Sequence, residues 1–418
     1  MSRSRPSLRR CRIPRPLSSV TTRAHEVDPA AAGLAADVPD RIWKATEWLY
    51  RSGMHPGIQL CVRRRGEVVL NRAIGHARGN GPLDPEDGPK ELLTPTTPVC
   101  IFSASKAITA MLIHLLDDRG VLHVDDRVVE YIPEFGRAGK EWITLRHILC
   151  HRAGIQTVPP EYNNPAMLAD WPNIVALLCE AEPTSRAGRK LAYHALTGGF
   201  VLGEVIQRVT GKSLRGVLRD EITGPLGFDL FDYGIAEERL PEVALNYATG
   251  PSAPWPISRV PHNALGMAFD TATELSNSAD FLTSVVPSGN IVSTAEQCSR
   301  FFELLRCGGE LDGTRVMDAR TVHRATNETS YLEMDFSLML PFRYGVGLML
   351  GGKAVSPFGP DTTRAYGHLG FINIHVWADP ARELSVALLT TGKPFLSIHL
   401  PPLLNLLHTI SSSVPKSG

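Results

Sequence analysis

Apolar residues alternate in the manner of strands near both ends of this chain, while helical spacing dominates between them. Near the start, residues 58–62 and 68–74 flank Arg64-Arg65-Gly66-Glu67, two alternating runs joined by a turn, which is the mark of a β-hairpin. Near the end, residues 344–350, 371–378 and 384–390 read as three further strands. Helical stripes occupy 40–51 (Ile42, Trp43, Ala45, Trp48, Leu49), 107–119, 145–150, 171–181 and 196–209, the last closed by Gly211. Residues 293–306 add another, opening on the capping-box pattern Ser293-Thr294-Ala295-Glu296. A final helix is expected over 395–410, interrupted by Pro401 and Pro402. Residues 76–96 read as loop, and 229–290 as a long irregular region of the kind that carries function inside a compact domain.

One sheet assembled from both chain ends, with a helical insertion between, is an α+β arrangement. The expected organisation is a disordered tail over 1–35, one domain over 36–412 and a short tail over 413–418. Within the domain, 36–96 and 340–412 form the α/β part and 97–339 the helical part. With 418 residues the chain has room for one large domain or two intimate ones.

Composition narrows the possible partners. The 43 basic and 43 acidic residues balance, so nothing points to nucleic acid or an anionic surface. Seven scattered cysteines make no disulfide framework and fit a reducing compartment. The Arg/Ser-rich first 25 residues lack the apolar core of a secretory signal, which favours a cytoplasmic location; an organelle transit peptide is the other reading. No run approaches 18 apolar residues, so no membrane span is expected.

The chemistry centres on Ser103-Ala104-Ser105-Lys106, where an extended approach over 97–102 runs into a helix with the apolar face Ala107, Ile108, Met111, Leu112, Leu115 and Leu116. Positions i and i+3 share a helix face, so the hydroxyl of Ser103 and the amine of Lys106 can meet. A lysine accepts a proton only once burial or a positive potential lowers its pKa. Such a pair makes a serine nucleophile without a histidine. The same pattern at Ser413-Val414-Pro415-Lys416 contains a proline and reads as chance.

Further segments follow Ile101-Phe102-Ser103 in order. They are Asp117-Asp118-Arg119-Gly120-Val121-Leu122, Tyr131-Ile132-Pro133-Glu134-Phe135, the stretch Ile143-Thr144-Leu145-Arg146-His147-Ile148-Leu149-Cys150-His151 with Gly154, Tyr193-His194-Ala195, Gly224-Pro225-Leu226-Gly227 and His368-Leu369-Gly370. From roughly residue 40 to 395 the chain therefore resembles the serine β-lactamase and penicillin-binding-protein superfamily, and within it the class C β-lactamase-like esterases, the family VIII carboxylesterases. The resemblance implies a β-lactamase/transpeptidase-like fold. Its antiparallel sheet would come from both chain ends, flanked by helices and joined to a helical subdomain. It implies that Ser103 becomes acylated and that Lys106 and Tyr193 form the base system, an ammonium beside the phenol lowering the tyrosine pKa. Which of the two is the base stays open, because they titrate together. The oxyanion would be held by the backbone N–H groups of Ser103 and Phe371, a role independent of the Phe371 side chain.

Two departures from the family pattern bear on substrate. Ala195 stands in place of an asparagine that contacts the amide of β-lactams. His368 stands in place of a lysine, exchanging a permanent charge for a group that titrates near neutrality. Both favour a neutral ester of short to medium acyl chain. The alternatives are a β-lactamase, D-amino-acid peptidase or amidase, an acyl transferase, and a non-catalytic binder. His368, Gly370, His194 and Trp255 are the candidate substrate-binding residues, and Tyr233, Tyr247 and Met267 could add to an acyl pocket. No cofactor or metal is expected. His147 and His151 have zinc-like spacing but no third ligand, so packing is the better reading. Thr210-Gly211-Lys212-Ser213 fails as a phosphate loop because Ile206 replaces its first glycine.

Overall fold

The computed structural model describes residues 8–156, 165–252, 258 and 265–417. Ten strands form one antiparallel sheet: β1 (Thr21–Arg23), β2 (Gly57–Arg64), β3 (Glu67–Arg78), β4 (Glu91–Leu92), β5 (Ser330–Asp335), β6 (Leu340–Tyr344), β7 (Met349–Leu350), β8 (Tyr366–Gly370), β9 (Ile374–Asp379) and β10 (Leu384–Thr390). Their spatial order is β1-β3-β2-β10-β9-β8-β7-β6-β5, with β4 beside β3. The two ends of the chain thus meet at β2–β10, where Val386 faces Val62 and Leu388 faces Leu60.

Alternation along these strands feeds two cores. Ile58, Leu60 and Val62 join Val386 and Leu388 on one face, while Cys61, Ala387 and Leu389 point to the other. The first face is covered by helix α1 (Val38–Arg51), which offers Ile42 and Leu49, and by the C-terminal helix, which offers Leu403, Leu406 and Ile410. The other is covered by α2 (Ser105–Asp118) and α4 (Ala295–Arg306), with α3 (Thr197–Thr210) packed on α2. Helix α2 is buried all round from Ser105 to Leu116 and makes no solvent-facing stripe. The fold is therefore β-lactamase/transpeptidase-like, as expected.

Several expectations change. Residues 8–35 do not trail as a disordered tail. Thr21–Arg23 pairs with β3, Val20 is buried, and Glu26 takes both Nε and Nη2 of buried Arg72 at 2.7 and 2.8 Å. The end is also packed: the last helix, α5, runs over Leu400–Ser413, Val414 is buried, and Lys416 pairs with Asp361. Pro401 and Pro402 lie in the first turn of that helix, where proline is tolerated, and do not interrupt it. Helix α4 is capped one residue later than expected, by Thr294 Oγ1 accepting from the Gln297 N–H, because Ser293 ends a strand of a small second sheet. The single strand expected over 344–350 is two strands joined by a turn. Ser213, placed after left-handed Gly211, caps the next helix, so this segment is a link between helices.

Candidate active site

Ser103 lies in a 3-10 turn, Phe102–Ala104, immediately before α2. Two hydrogen bonds fix that turn: Ser105 donates to the Phe102 carbonyl at 2.6 Å and accepts the Ile291 N–H at 3.0 Å. The second serine of the tetrapeptide is thus a brace. Lys106, one residue into the helix, turns back so that Nζ lies 3.2 Å from Ser103 Oγ. Its amine also donates to the carbonyls of Ala195, at 2.7 Å, and Ser288, at 2.9 Å. Three neighbours complete the tetrahedron around Nζ. With two N–H groups held by carbonyls, the third direction faces the serine hydroxyl.

Tyr193 closes the group. Its hydroxyl lies close enough to Ser103 for that residue to oppose the rise in the phenol pKa, and its ring lies 4.8 Å from Lys106 Nζ. Burial controls the protonation of both partners. It pushes Lys106 far below the usual lysine range. It also pushes Tyr193 above the usual phenol range, with Ser103 opposing the rise and the Asp335 charge adding to it. The expected lowering of the tyrosine pKa therefore does not hold, because a neutral lysine offers no charge to stabilise a phenolate. Burial thus favours amine and phenol as the resting pair.

Asp335, at the end of β5, was not singled out from the sequence. Its carboxylate accepts the backbone N–H groups of Tyr193 at 3.1 Å, Ser337 at 2.9 Å and Leu338 at 3.0 Å, which ties the tyrosine loop to the sheet. The aspartate-serine turn after β5 was the one available signal. Nothing in sequence marked Ser288, which acts through its carbonyl.

Phe371 follows β8 with φ of +44°, and Phe102 precedes the nucleophile with φ of +49°. Both sit in the left-handed region that bulky residues avoid. Their rings stack at 4.9 Å, and Phe269 stacks on Phe371 at 4.4 Å, holding the two strained positions together. The Phe371 side chain is therefore part of the construction, contrary to the expectation that only its backbone matters. Gly370 is required beside it: a Cβ there would come 2.2 Å from the Ile101 carbonyl oxygen.

Of these parts, Ser103 and Ser288 reach a cleft of about 600 Å³, its mouth included, with an apolar wall built by Phe102, Leu168, Leu196, Met267, Phe281 and Phe371. No charged side chain lines it among the described residues. Of the other candidates, Met267 does line the cleft, while Tyr233 is core, with its hydroxyl 2.7 Å from Thr109 Oγ1. Tyr247 accepts the Gly79 N–H at 3.0 Å, away from the cleft lining. Trp255 lies outside the described residues. His368 is buried, its Nδ1 2.7 Å from the Leu369 carbonyl, and burial with Lys106 nearby pulls its pKa down to about 3. It is neutral across the physiological range and does not titrate near neutrality as expected. His194 is also buried, with its pKa down to about 3, and faces away from the cleft onto a second cavity behind Lys106. The His147 and His151 rings accept backbone N–H groups, from Thr144 and His194 respectively, which is packing and helix-end bonding. No cluster of three or more potential metal ligands occurs among the described residues, and none of the helices described there is long and apolar enough to cross a membrane.

Comparison with known proteins agrees with this geometry. The chain is 30% identical over 299 residues to the esterase/beta-lactamase LipL of Mycobacterium tuberculosis, covering 69% of this chain and 68% of that protein. A penicillin-binding-protein homologue from Caulobacter crescentus superposes with a TM-score of 0.77 at 28% identity, over 91% of this chain and 99% of that one. A solved family VIII carboxylesterase shares the fold, with a TM-score of 0.74 at 24% identity over 90% and 98% of the two chains. The sequence pattern of the Beta-lactamase family matches residues 46–404, nearly the whole of the structure that frames Ser103, and the chain belongs to that family of serine hydrolases.

Proposed function

We propose that the protein is a serine carboxylesterase that cleaves esters of short to medium acyl chain through an acyl-enzyme on Ser103. The observation that carries this reading is the grouping of Ser103, Lys106 and Tyr193, with Ser103 opening on an apolar cleft that no charged side chain lines among the described residues. The neutral Lys106 amine takes the Ser103 proton as Oγ attacks the ester carbonyl. The backbone N–H groups of Ser103 and Phe371 hold the oxyanion. The Lys106 ammonium then passes that proton, by way of the neutral Tyr193 phenol, to the departing alkoxide, which leaves amine and phenol as before. Water then reverses the sequence and releases the acid. Cleft and pKa together favour an ester over a β-lactam: an anionic substrate is best held by a cation, and His368 stays neutral while Ala195 offers no amide.

In the test, p-nitrophenyl butyrate and nitrocefin are offered to wild type and to Ser103→Ala. Release of p-nitrophenol by wild type, loss on the order of 10³-fold or more in the variant, and much slower nitrocefin turnover are expected. Undiminished ester turnover by Ser103→Ala overturns the mechanism. Nitrocefin turnover equal to ester turnover overturns the substrate class.

A further inference from the structure

Two cavities meet at Ser288. The cleft lies on the Ser103 side; behind the lysine a second cavity of about 30 Å³ is lined by Lys106, Thr109, His151, His194, Leu202 and Ser288 among others. Ser288 lines both. A space of this size holds about two water molecules, given about one probe sphere for each. Its polar demand is unmet by protein. His194 is 1% exposed, and neither ring nitrogen makes a well-formed hydrogen bond, the nearby Ile148 carbonyl only opposing the fall in its pKa. Buried polar groups left in this state are normally met by ordered water. A second group helps: His151 Nδ1 accepts the His194 backbone N–H at 3.2 Å, so the proton of this neutral ring is on Nε2.

We propose that this chamber is a water site, and that it supplies the water which hydrolyses the Ser103 acyl-enzyme, with His194 as its positioning residue. The inference rests on the acyl-enzyme reading above. Once an acyl chain fills the cleft, its apolar wall offers no polar partner to hold a water in place, whereas the chamber, which shares Ser288 with the cleft, does. A water from the chamber moves past Ser288 to the Ser103 side of Lys106, where the free direction of the amine points; its oxygen bonds to the acyl carbon while its proton passes to the amine. Collapse of the tetrahedral adduct breaks the bond to Ser103 Oγ, the lysine returns the proton to that oxygen, and the carboxylic acid leaves.

Stopped-flow release of p-nitrophenol from p-nitrophenyl butyrate, with intact-protein mass, separates the two half-reactions. His194→Phe, which fills the chamber, is expected to keep a burst of one p-nitrophenol per enzyme at the wild-type rate. Steady turnover should fall 10-fold or more, with butyryl-enzyme accumulating. Methanol, an acceptor that enters by the cleft, should restore turnover as methyl ester. His194→Gln, which keeps a polar group there, should regain much of the hydrolysis. Gly198→Ala provides a milder narrowing: its methyl would sit 3.2 Å from Ile148 Cγ2 and 3.3 Å from His194 Cβ, and the same split is expected on a smaller scale. Equal loss in burst rate and steady turnover, or no change in either, in variants that melt like wild type overturns the water site and leaves the esterase reading intact. No release by wild type overturns both.

Discussion

The role proposed for Lys106 as the base rests on where it is buried. A lysine on the first turn of a helix would ordinarily be solvated and charged. Here two carbonyls and a serine hydroxyl take its three directions, and burial lowers its pKa. Lys106→Arg is a sharp test, since a guanidinium keeps charge and donors but does not give up its proton. Ester turnover should fall on the order of 10³-fold or more and fluorophosphonate labelling of Ser103 should slow in parallel. Labelling at the wild-type rate would move the base to Tyr193. Phe371 presents the opposite case, a residue whose strain is held by packing. Phe371→Ala removes both ring stacks while retaining a side chain at φ of +44°. Thermal unfolding should show a loss of about 2 kcal/mol, below the ~3–5 kcal/mol of a fully buried Phe→Ala because Phe371 is only half-buried, and kcat should drop more than KM rises, because in the proposed mechanism the stack sets the N–H that holds the oxyanion.

Elements bring the lysine and its carbonyls together by close approach. Helix α3 must press on the Val286–Asn290 turn to deliver the Ser288 carbonyl, and Gly199 allows it: a Cβ would fall 2.1 Å from Ser288 Oγ and 2.7 Å from its nitrogen, against backbone. Gly199→Ala should therefore displace the Ser288 carbonyl and cut kcat about 10-fold or more by weakening the positioning of the base. A crystal structure showing Lys106 unmoved, with activity unchanged, would remove Ser288 from the argument. The same close approaches explain what was hard to read. Helices α1 and α3 and the hairpin β2–β3 were legible because each repeats one period without interruption. Strand β8 was not: Tyr366-Gly367-His368-Leu369-Gly370 carries two glycines, which usually weaken strands, yet Cβ atoms there would come 2.0 Å from the Val376 oxygen and 2.2 Å from the Ile101 oxygen. Hairpin β5–β6 was hidden by exposed Tyr331, Leu332, Met334 and Leu340, which break any inside-outside alternation at a sheet edge. The Ser103–Lys106–Tyr193 trio was legible from ordered motifs, whereas Ser288 and the rear chamber depend on backbone carbonyls and space, for which residue identity gives no code.

The whole molecule carries an uncommon burden of buried neutral bases, and this fixes how its stability depends on pH. His55, His114, His151, His194, His368, His375 and His399 are all buried. Burial lowers all seven, to about 4 for His114, His375 and His399 and about 3 for His194 and His368. Above the ordinary histidine value near 6.5, neither folded nor unfolded chain holds these protons, and they do not affect stability. As pH falls below that value the unfolded chain takes them up and the folded one does not, so stability drops until the folded values are reached. Each contributes up to ~1.4 kcal/mol per pH unit in that window. Lys393, buried under the Phe102 ring with its pKa pulled down to about 7, extends the trend upward. Between about pH 7 and the ordinary lysine value of 10.5 only the unfolded chain holds its proton, so stability gains as pH rises there. Urea unfolding from pH 7 to 4 should therefore show a midpoint that falls steeply below pH 6.5, with uptake of several protons per molecule on unfolding near pH 5. His375→Gln should reduce that uptake by about one proton, because His375 is held neutral at a position where its Nε2 finds no partner. A midpoint flat between pH 6.5 and 5 would mean that these rings are already charged in the folded protein, and that the core around Lys106 is wetter than its geometry allows.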